Sequence, residues 1–440
     1  MIDAVIECCA GIDVGKKFIL VCSLCGPSDQ APQIQIRTYA TTTHALQTLE
    51  KWLYELGCRH VVMESTGDYW KPIFNILEER MTVVLANPVH VKNIPGRKTD
   101  VKDCQWLAHL LRHGLVRSSF IPPRPIRELR DLTRRRRQLL SAATSERNRV
   151  QKVLEDANIK LASVLSDLFG ASGQEMLEAL LAGDPDPEQI ASFARCRLKR
   201  RVPEIKAAVE QHRLRDHHRF LLRQSIAHIG FLEEQIFELD RQIMQLLLPY
   251  QEGFDLLQTI PGIRRDAAAI LIAEIGPDMS QFPTPDHLAA WAGVCPGNNE
   301  SAGKRRSAHV RKGNRWLRGI LTQSAWGATR KGNSYFRERY ARLAARRGSK
   351  RAVIAIARIL LITVYHVLSR RIPYRDLGPN YLDERQRNRQ IRYHLKRLAE
   401  FGITIPPITY SPQLLTPPRT KPRLCFRSIL RANDIKQNLS

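Results

Sequence analysis

Four acids in a strongly basic chain sit where a divalent cation could use them: Asp13, Glu64, Asp100 and Asp103. Asp13 interrupts the apolar run AGIDVGKKFILVCSL, and Glu64 closes a second run within HVVMESTGDYW. Asp100 and Asp103 open KTDVKDCQWLAHLLRHG, where a spacing of three puts both on one face of a helix. Carboxylates from separate elements can hold two Mg²⁺ ions roughly 4 Å apart, a pair that clamps the attacking and leaving oxygens of an in-line phosphoryl transfer. Each acid has a plainer use as well, since Asp100 can cap its own helix and Glu64 the one that follows. Four together, in a chain with 69 Lys and Arg against 43 Asp and Glu, favour the cation site.

A candidate nucleophile lies far downstream. Ser301 stands in VCPGNNESAGKRRSAHVRKGN. A serine hydroxyl that attacks a phosphodiester holds the broken strand as an ester and keeps the bond energy for rejoining. Unaided it is a weak nucleophile. Lys304, Arg305 and Arg306 could stabilise charge developing on the phosphate. Residue type alone gives Ser301 no advantage over Ser307, Ser324 or Ser334, and Gly297 and Gly303 say only that its loop can approach another backbone closely.

The elements that must position these residues divide along the chain. At 440 residues, more than one core is expected. The fold class is α/β plus all-α. Residues 1–122 alternate strand and helix patterns after an early meander, as an α/β layered domain does. A Pro- and Gly-containing basic loop, residues 87–99 with Lys98, is placed at the mouth of the acid cluster.

Residues 123–250 read as helical. One helix carries Arg134, Arg135, Arg136 and Arg137, and a second, from about 217 to 248, keeps a seam of Leu222, Ile229, Leu232, Ile236, Leu239, Ile243 and Leu246. Spacing of three and four over several heptads predicts a coiled coil or a long helical hairpin, with dimerisation through the seam as one use of it. Between the two helices, a surface loop and a short helix are expected. Residues 251–375 begin with LLQTIPGIRRDAAAILIAEIG, a helix-hairpin-helix pattern whose turn at Gly262 could offer backbone N–H groups to a phosphate. Residues 376–440 read as a basic helix and a Pro-rich tail without fixed structure.

A formal charge of +26 and a pI near 10.1 point to a polyanionic partner. Between Glu300 and Arg351, sixteen Lys or Arg face two acids and are interleaved with aromatics, which favours a phosphate-binding surface that includes Arg311 and Lys312. No membrane partner is expected: VIAIARILLITVYHVL, broken by Arg358 and His366, reads as a core helix shorter than a span of about 20 residues. The start MIDAVIECCAGID lacks a signal-peptide pattern, so a cytoplasmic, nucleoid-associated protein is expected. Nine scattered cysteines read as reduced, buried thiols rather than a disulfide framework, and Cys22–Cys25 as a weak zinc candidate.

Taken together, GIDVGK, VVMESTGDYW, KTDVKDCQWLAHLLRHGLV, TIPGI with AEIG, and CPGNNESAGKRRSAHVRKGNRWLR resemble the insertion-sequence one-ten family of transposases, relatives of the Piv DNA invertases. The resemblance implies an N-terminal RuvC-like (ribonuclease H-like) domain with a DEDD tetrad at Asp13, Glu64, Asp100 and Asp103. It also implies a helical coiled-coil insertion and a C-terminal domain with Ser301 as nucleophile. It further implies recombination of donor and target double-stranded DNA through phosphoserine esters with Mg²⁺, guided by a structured noncoding RNA. Homodimers and homotetramers are implied too, the serine of one chain meeting the tetrad of another. A junction resolvase that uses metal-activated water, a site-specific invertase and a non-catalytic nucleic-acid binder are the competing readings.

Overall fold

A computed structural model describes residues 4–64, 67–86, 100–116, 118–296, 299–301, 304–307, 310 and 313–401, the side chains of 100–102, 299–301 and 304–307 excepted. Met1–Asp376 forms one compact unit, and a second begins at Leu377.

The first unit opens with β1 (Cys8–Val14), β2 (Phe18–Cys25) and β3 (Gln33–Ala40), followed by α1 (Thr43–Glu55), β4 (His60–Glu64), α2 (Trp70–Leu77), β5 (Thr82–Ala86) and α3 (Asp100–Arg112). The strands form one sheet in the order β3-β2-β1-β4-β5, antiparallel among the first three and parallel across β1, β4 and β5. This mixed order fits the ribonuclease H-like layering that the resemblance implies. Alternating side chains give the sheet two buried faces. Ala10, Ile12, Val14, Val61 and Met63 pack with Leu49 and Leu53 of α1 and Ile73 and Leu77 of α2. Cys9, Cys22, Leu24 and Val62 pack under Leu107, Ala108 and Leu111 of α3. Arg112, 2% exposed, donates from its guanidinium to the carbonyls of Glu7, Gly26 and Pro27 and so fastens the end of α3 to the start of β1 and the end of β2.

From Pro123 the chain turns helical. α4 (Arg124–Asp156) runs out, and the short helices α5 (Leu161–Val164), α6 (Ala171–Ala182), α7 (Pro187–Ser192) and α8 (Val202–Val209) cap its far end. α9 (Asp216–Leu247) then returns along it. The expected surface loop, residues 183–186, and the short helix after it, α7, lie within a small helical subdomain with its own core, in which Met176, Ile190 and Ile205 pack with Val150 and Leu154 of α4. The heptad seam is occupied within the chain. Leu232 packs on Leu139 and Ala143 of α4, with Ile236 and Leu239 alongside, while Ile243 enters the C-terminal core. The pair is thus an intramolecular helical hairpin, and dimerisation through that seam loses its basis.

The C-terminal half comprises α10 (Gln251–Gln258), α11 (Arg265–Ile275), α12 (Pro285–Trp291), the hairpin β6 (Asn299–Ser301) and β7 (Lys304–Ser307), α13 (Arg315–Arg330), α14 (Tyr335–Arg347) and α15 (Ser349–Arg370). α15 is long and apolar enough by length and composition to cross a bilayer, which the shorter sequence estimate missed. Half of it is buried, with Ile356, Leu360, Leu361 and Val364 in the main core, and Arg358 donates to Asp286. The second unit contains α16 (Tyr381–Glu400), with acids in its first turn and Arg397 in its last, as the helix dipole favours. The Pro-rich tail lies outside the described residues.

One cysteine expectation is corrected. Cys8 and Cys25, paired directly across β1 and β2, form a disulfide, whereas Cys9, Cys22, Cys58 and Cys104 are buried thiols.

Gly11 sets how closely α3 lies on the sheet, because a Cβ there would meet the Cys104 carbonyl oxygen at 2.2 Å and the Ala108 nitrogen at 2.6 Å. Gly11→Ala is therefore expected to cost about 1–3 kcal/mol by overpacking. A urea melt of the purified protein checks this, and an unchanged midpoint refutes it.

Candidate active site

The sheet brings two of the four acids together by register. Asp13 lies near the C-terminal end of β1 and Glu64 ends β4, and the parallel pairing of Ile12 with Met63 makes them neighbours. Cys9 and Val62 face α3, so alternation turns Asp13 and Glu64 to that face as well. α3 supplies the third acid, Asp103, one residue before the buried Cys104. All three are half-buried, and the Asp13 charge acts on the Cys104 thiol. The backbone of Asp100 opens α3. Its side chain is outside the described residues.

Beneath the acids the floor is sulfur, and its thiols are shifted in opposite directions, Cys104 being lowered by its hydrogen bond with Cys22. Burial pushes the Cys9 thiol up to about 11, and a hydrogen bond with Cys104, together with burial, raises Cys22 well above the ordinary thiol range. Cys25, the other half of the zinc candidate, is bonded to Cys8.

Ser301 belongs to a different set of elements. It ends β6 and pairs with Lys304 across the β6–β7 turn, at the tip of a two-stranded hairpin that has an irregularity at Asn299 and Glu300. Arg305 and Arg306 follow on β7. An isolated bridge between Pro296 and Val310 closes the base of the hairpin. Below it, Gly313 runs so close to Gly293 that a Cβ on Gly313 would meet the Gly293 nitrogen at 2.5 Å. Lys98, Arg311 and Lys312 lie outside the described residues.

The four-arginine run divides by partner. Arg134 makes a two-pronged pair with Glu274, Nε to Oε1 at 2.7 Å and Nη2 to Oε2 at 2.8 Å. Arg136 pairs with Asp240 at 2.5 Å and Asp266 at 3.3 Å. Of the four, Arg135 and Arg137 are exposed, whereas Arg134 and Arg136 are half-buried against these acids. Gly262 has φ +83°, and a Cβ there would meet the Ser324 carbonyl oxygen at 2.1 Å and the Ala328 nitrogen at 2.6 Å, so its conformation and its contact with α13 both require glycine.

Residues 10–159 match a family model described as Transposase, for the DEDD transposases of IS110. Residues 254–341 match a second, described as Transposase IS116/IS110/IS902 family. The chain belongs to the IS110 family of transposases. A pilin gene-inverting protein from Moraxella bovis is 24% identical over 380 residues, covering 83% of this chain and 96% of that protein. The pilin gene-inverting protein of Moraxella lacunata is similar at 24% over 382 residues, with the same coverage of 83% and 96%. An uncharacterised 43.6 kDa protein of insertion element IS110 from Streptomyces coelicolor is 28% identical over 253 residues, 53% of this chain and 61% of that one. A Thermus thermophilus RuvC structure is similar with a TM-score of 0.21 at 13% identity, covering 26% of this chain and 99% of that one.

Membership of the IS110 transposase family makes DNA the substrate and strand cutting the class of reaction. In this family member the first matched segment holds all four acids, and the second holds Ser301. Two features escaped sequence reasoning. Glu274, in AEIG, is fully buried, and its only sequence signal is an acid inside an apolar helix. Asp156, His217 and His218 gather their ligand atoms within 4.8 Å, with the His-His pair as the only clue. His218, however, uses both ring nitrogens: Nδ1 accepts from the Arg215 N–H at 3.2 Å, and Nε2 meets Asp156 Oδ2 at 2.9 Å. That group is a staple between the end of α4 and the start of α9.

The division of the arginines is testable. Arg135→Ala is expected to weaken DNA binding and lower the salt slope of binding by about 1, with stability unchanged. Arg134→Ala is expected to cost about 3 kcal/mol by leaving the buried Glu274 short of a partner. Salt-dependent fluorescence anisotropy on duplex DNA and a denaturant melt separate the two, and equal effects on both readouts refute the division.

Proposed function

We propose that this protein is a transposase that cuts and rejoins DNA strands through a serine ester, with Asp13, Glu64, Asp100 and Asp103 holding divalent cations at the scissile phosphate. The observation that carries the reading is the register that ends β1 and β4 side by side, with Asp13 and Glu64 on the face covered by the Asp103 helix. A divalent ion bound by these carboxylates would supply charge neutralisation and polarisation at the phosphate. The carboxylates themselves fix where the phosphate lies. Ser301 Oγ attacks phosphorus, the Oγ–P bond forms and the P–O3′ bond breaks. The proton lost by the serine is balanced by the one gained at the departing 3′-oxygen. A 3′-hydroxyl of the partner strand then attacks the ester, which restores the serine and seals the new junction. Lys304, Arg305 and Arg306 beside Ser301 balance charge on the phosphate oxygens.

Donor and target duplexes are the expected substrates, and a structured noncoding RNA supplies base pairing where the protein offers mainly backbone-binding cations. Homodimers or homotetramers would let the serine of one chain meet the acids of another. Site-specific inversion is the second reading, favoured by similarity to the Moraxella pilin gene-inverting proteins over 83% of the chain. In a third reading, the acids with water act as a nuclease and Ser301 is idle.

On a denaturing gel, the wild-type protein with Mg²⁺ and its nucleic-acid partners should give a covalent protein–DNA band. Ser301→Ala should abolish the band while DNA binding persists, and Asp13→Asn should reduce it by at least about 100-fold. Recombination without any such adduct sinks the serine mechanism. Cleavage retained by Ser301→Ala supports the nuclease reading instead.

A further inference from the structure

The base of the Ser301 hairpin is tied to a helix more than a hundred residues away in sequence. Asn314 caps α13, its Oδ1 accepting from the N–H groups of Trp316 at 3.0 Å and Leu317 at 3.1 Å. Because Oδ1 faces those donors, the Nδ2 side of the amide points away from the helix, and it donates to Glu274 Oε2 at 2.5 Å. Flipping the amide would set N–H against N–H at the cap and oxygen against carboxylate at the other end, so both contacts together fix one orientation.

Glu274 is in turn held by Arg134 through two parallel bonds. Arg130 lies 3.4 Å from its Oε2 and donates to the last carbonyls of α11, Ala273 at 3.1 Å and Glu274 at 2.6 Å. Burial of Arg130, the largest influence on it, lowers its pKa to about 10, still far above neutral pH, so the cation persists there. The chain leaving the hairpin is therefore anchored at Asn314, one residue after the backbone contact of Gly313 with Gly293. This clamp involves three elements: α4, α11 and the start of α13.

We propose that Glu274 is a positioning residue that, through Asn314, makes α4 set where the Ser301 hairpin stands. The inference rests on the reading of Ser301 as nucleophile for its catalytic consequence, and on geometry alone for the tether. A purely structural role predicts that any good N-cap at position 314 serves equally. Asn, Ser and Asp are nearly equivalent N-caps. They differ in what they offer Glu274: Asn donates to it, Ser is too short to reach it, and Asp repels it.

The test compares full-length wild type, Asn314→Ser and Asn314→Asp. Hydrogen exchange read by mass spectrometry on peptides covering 299–317 reports the hairpin, with peptides of α15 as the internal control. The yield of covalent DNA adduct per unit time, measured with Mg²⁺, reports the consequence. Both variants are expected to exchange faster over 299–317 than wild type, Asp more than Ser, with α15 protection unchanged. Adduct formation is expected to fall at least about tenfold in Asn314→Ser and further in Asn314→Asp, as small misplacements of a reacting group do. DNA affinity should stay within about twofold, since no phosphate-binding charge is removed. Equal exchange in all three proteins overturns the tether, whatever the chemistry does. Faster exchange with an unchanged adduct rate overturns the positioning role. If wild type itself forms no adduct during recombination, the serine reading fails separately, and the exchange result alone decides the tether. If Asn314→Asp melts early, Asn314→Ser carries the comparison.

Discussion

A carboxylate with no exposed surface must be surrounded by donors or it unfolds what surrounds it. Glu274 meets that condition with Arg134, Arg130 and Asn314, contributed by two other helices, and much of the molecule's arrangement follows from it. Two of these donors come from one helix, α4, which acts as the spine of the larger unit. Ile126 and Leu129 of α4 enter the C-terminal core, Leu139 and Ala143 meet α9, and Val150 and Leu154 enter the helical subdomain at its far end. Toward the sheet domain, Arg127 pairs with Glu78 at 2.5 Å and with Asn75 at 3.1 Å. A single helix therefore joins the C-terminal core, α9, the helical subdomain and the α2 side of the sheet domain, and its arginines are mainly its joints.

That arrangement bears on how a charge of +26 is used. A high Lys and Arg content suggests surface for a polyanion, yet Arg112, Arg130, Arg134 and Arg136 spend their donors inside the protein. Internal arginines make sense where flat, forked donors must join two elements at fixed angles, a task for which lysine is ill suited. Arg135 and Arg137, by contrast, are exposed, and the sequence from Glu300 to Arg351 carries sixteen Lys or Arg. Paired and exposed arginines alternate along the same helix, which composition alone cannot separate.

The acid site and the hairpin are built by opposite means. The acids depend on sheet register and on Gly11, which admits the α3 backbone directly onto β1, so their placement is stiff. Ser301 sits at the tip of a two-stranded hairpin, a form that is marginal alone. Its base is secured by backbone contact at Gly293 and Gly313 and by the Asn314 cap. Among the described residues, the acid face is thus built into the sheet, and the hairpin is secured at its stem.

By itself the sequence determined the meander and parallel strands and the long helices, because period-two alternation and heptad spacing are short-range signals, and it marked the four acids and the serine as candidates. Asp13 and Glu64 were legible since apolar strands end in them. The helical subdomain between the long helices was not, as its short helices lack sustained periodicity. Only the tertiary structure decided that the α9 seam is filled by α4, that Arg134 and Arg136 pair with internal acids while Arg135 and Arg137 are exposed, and that Gly262 packs against α13. It also decided that Cys8 joins Cys25. Each of these depends on which residues distant in sequence come to lie within a few ångströms, and that is settled by packing all the layers at once, not by any local pattern.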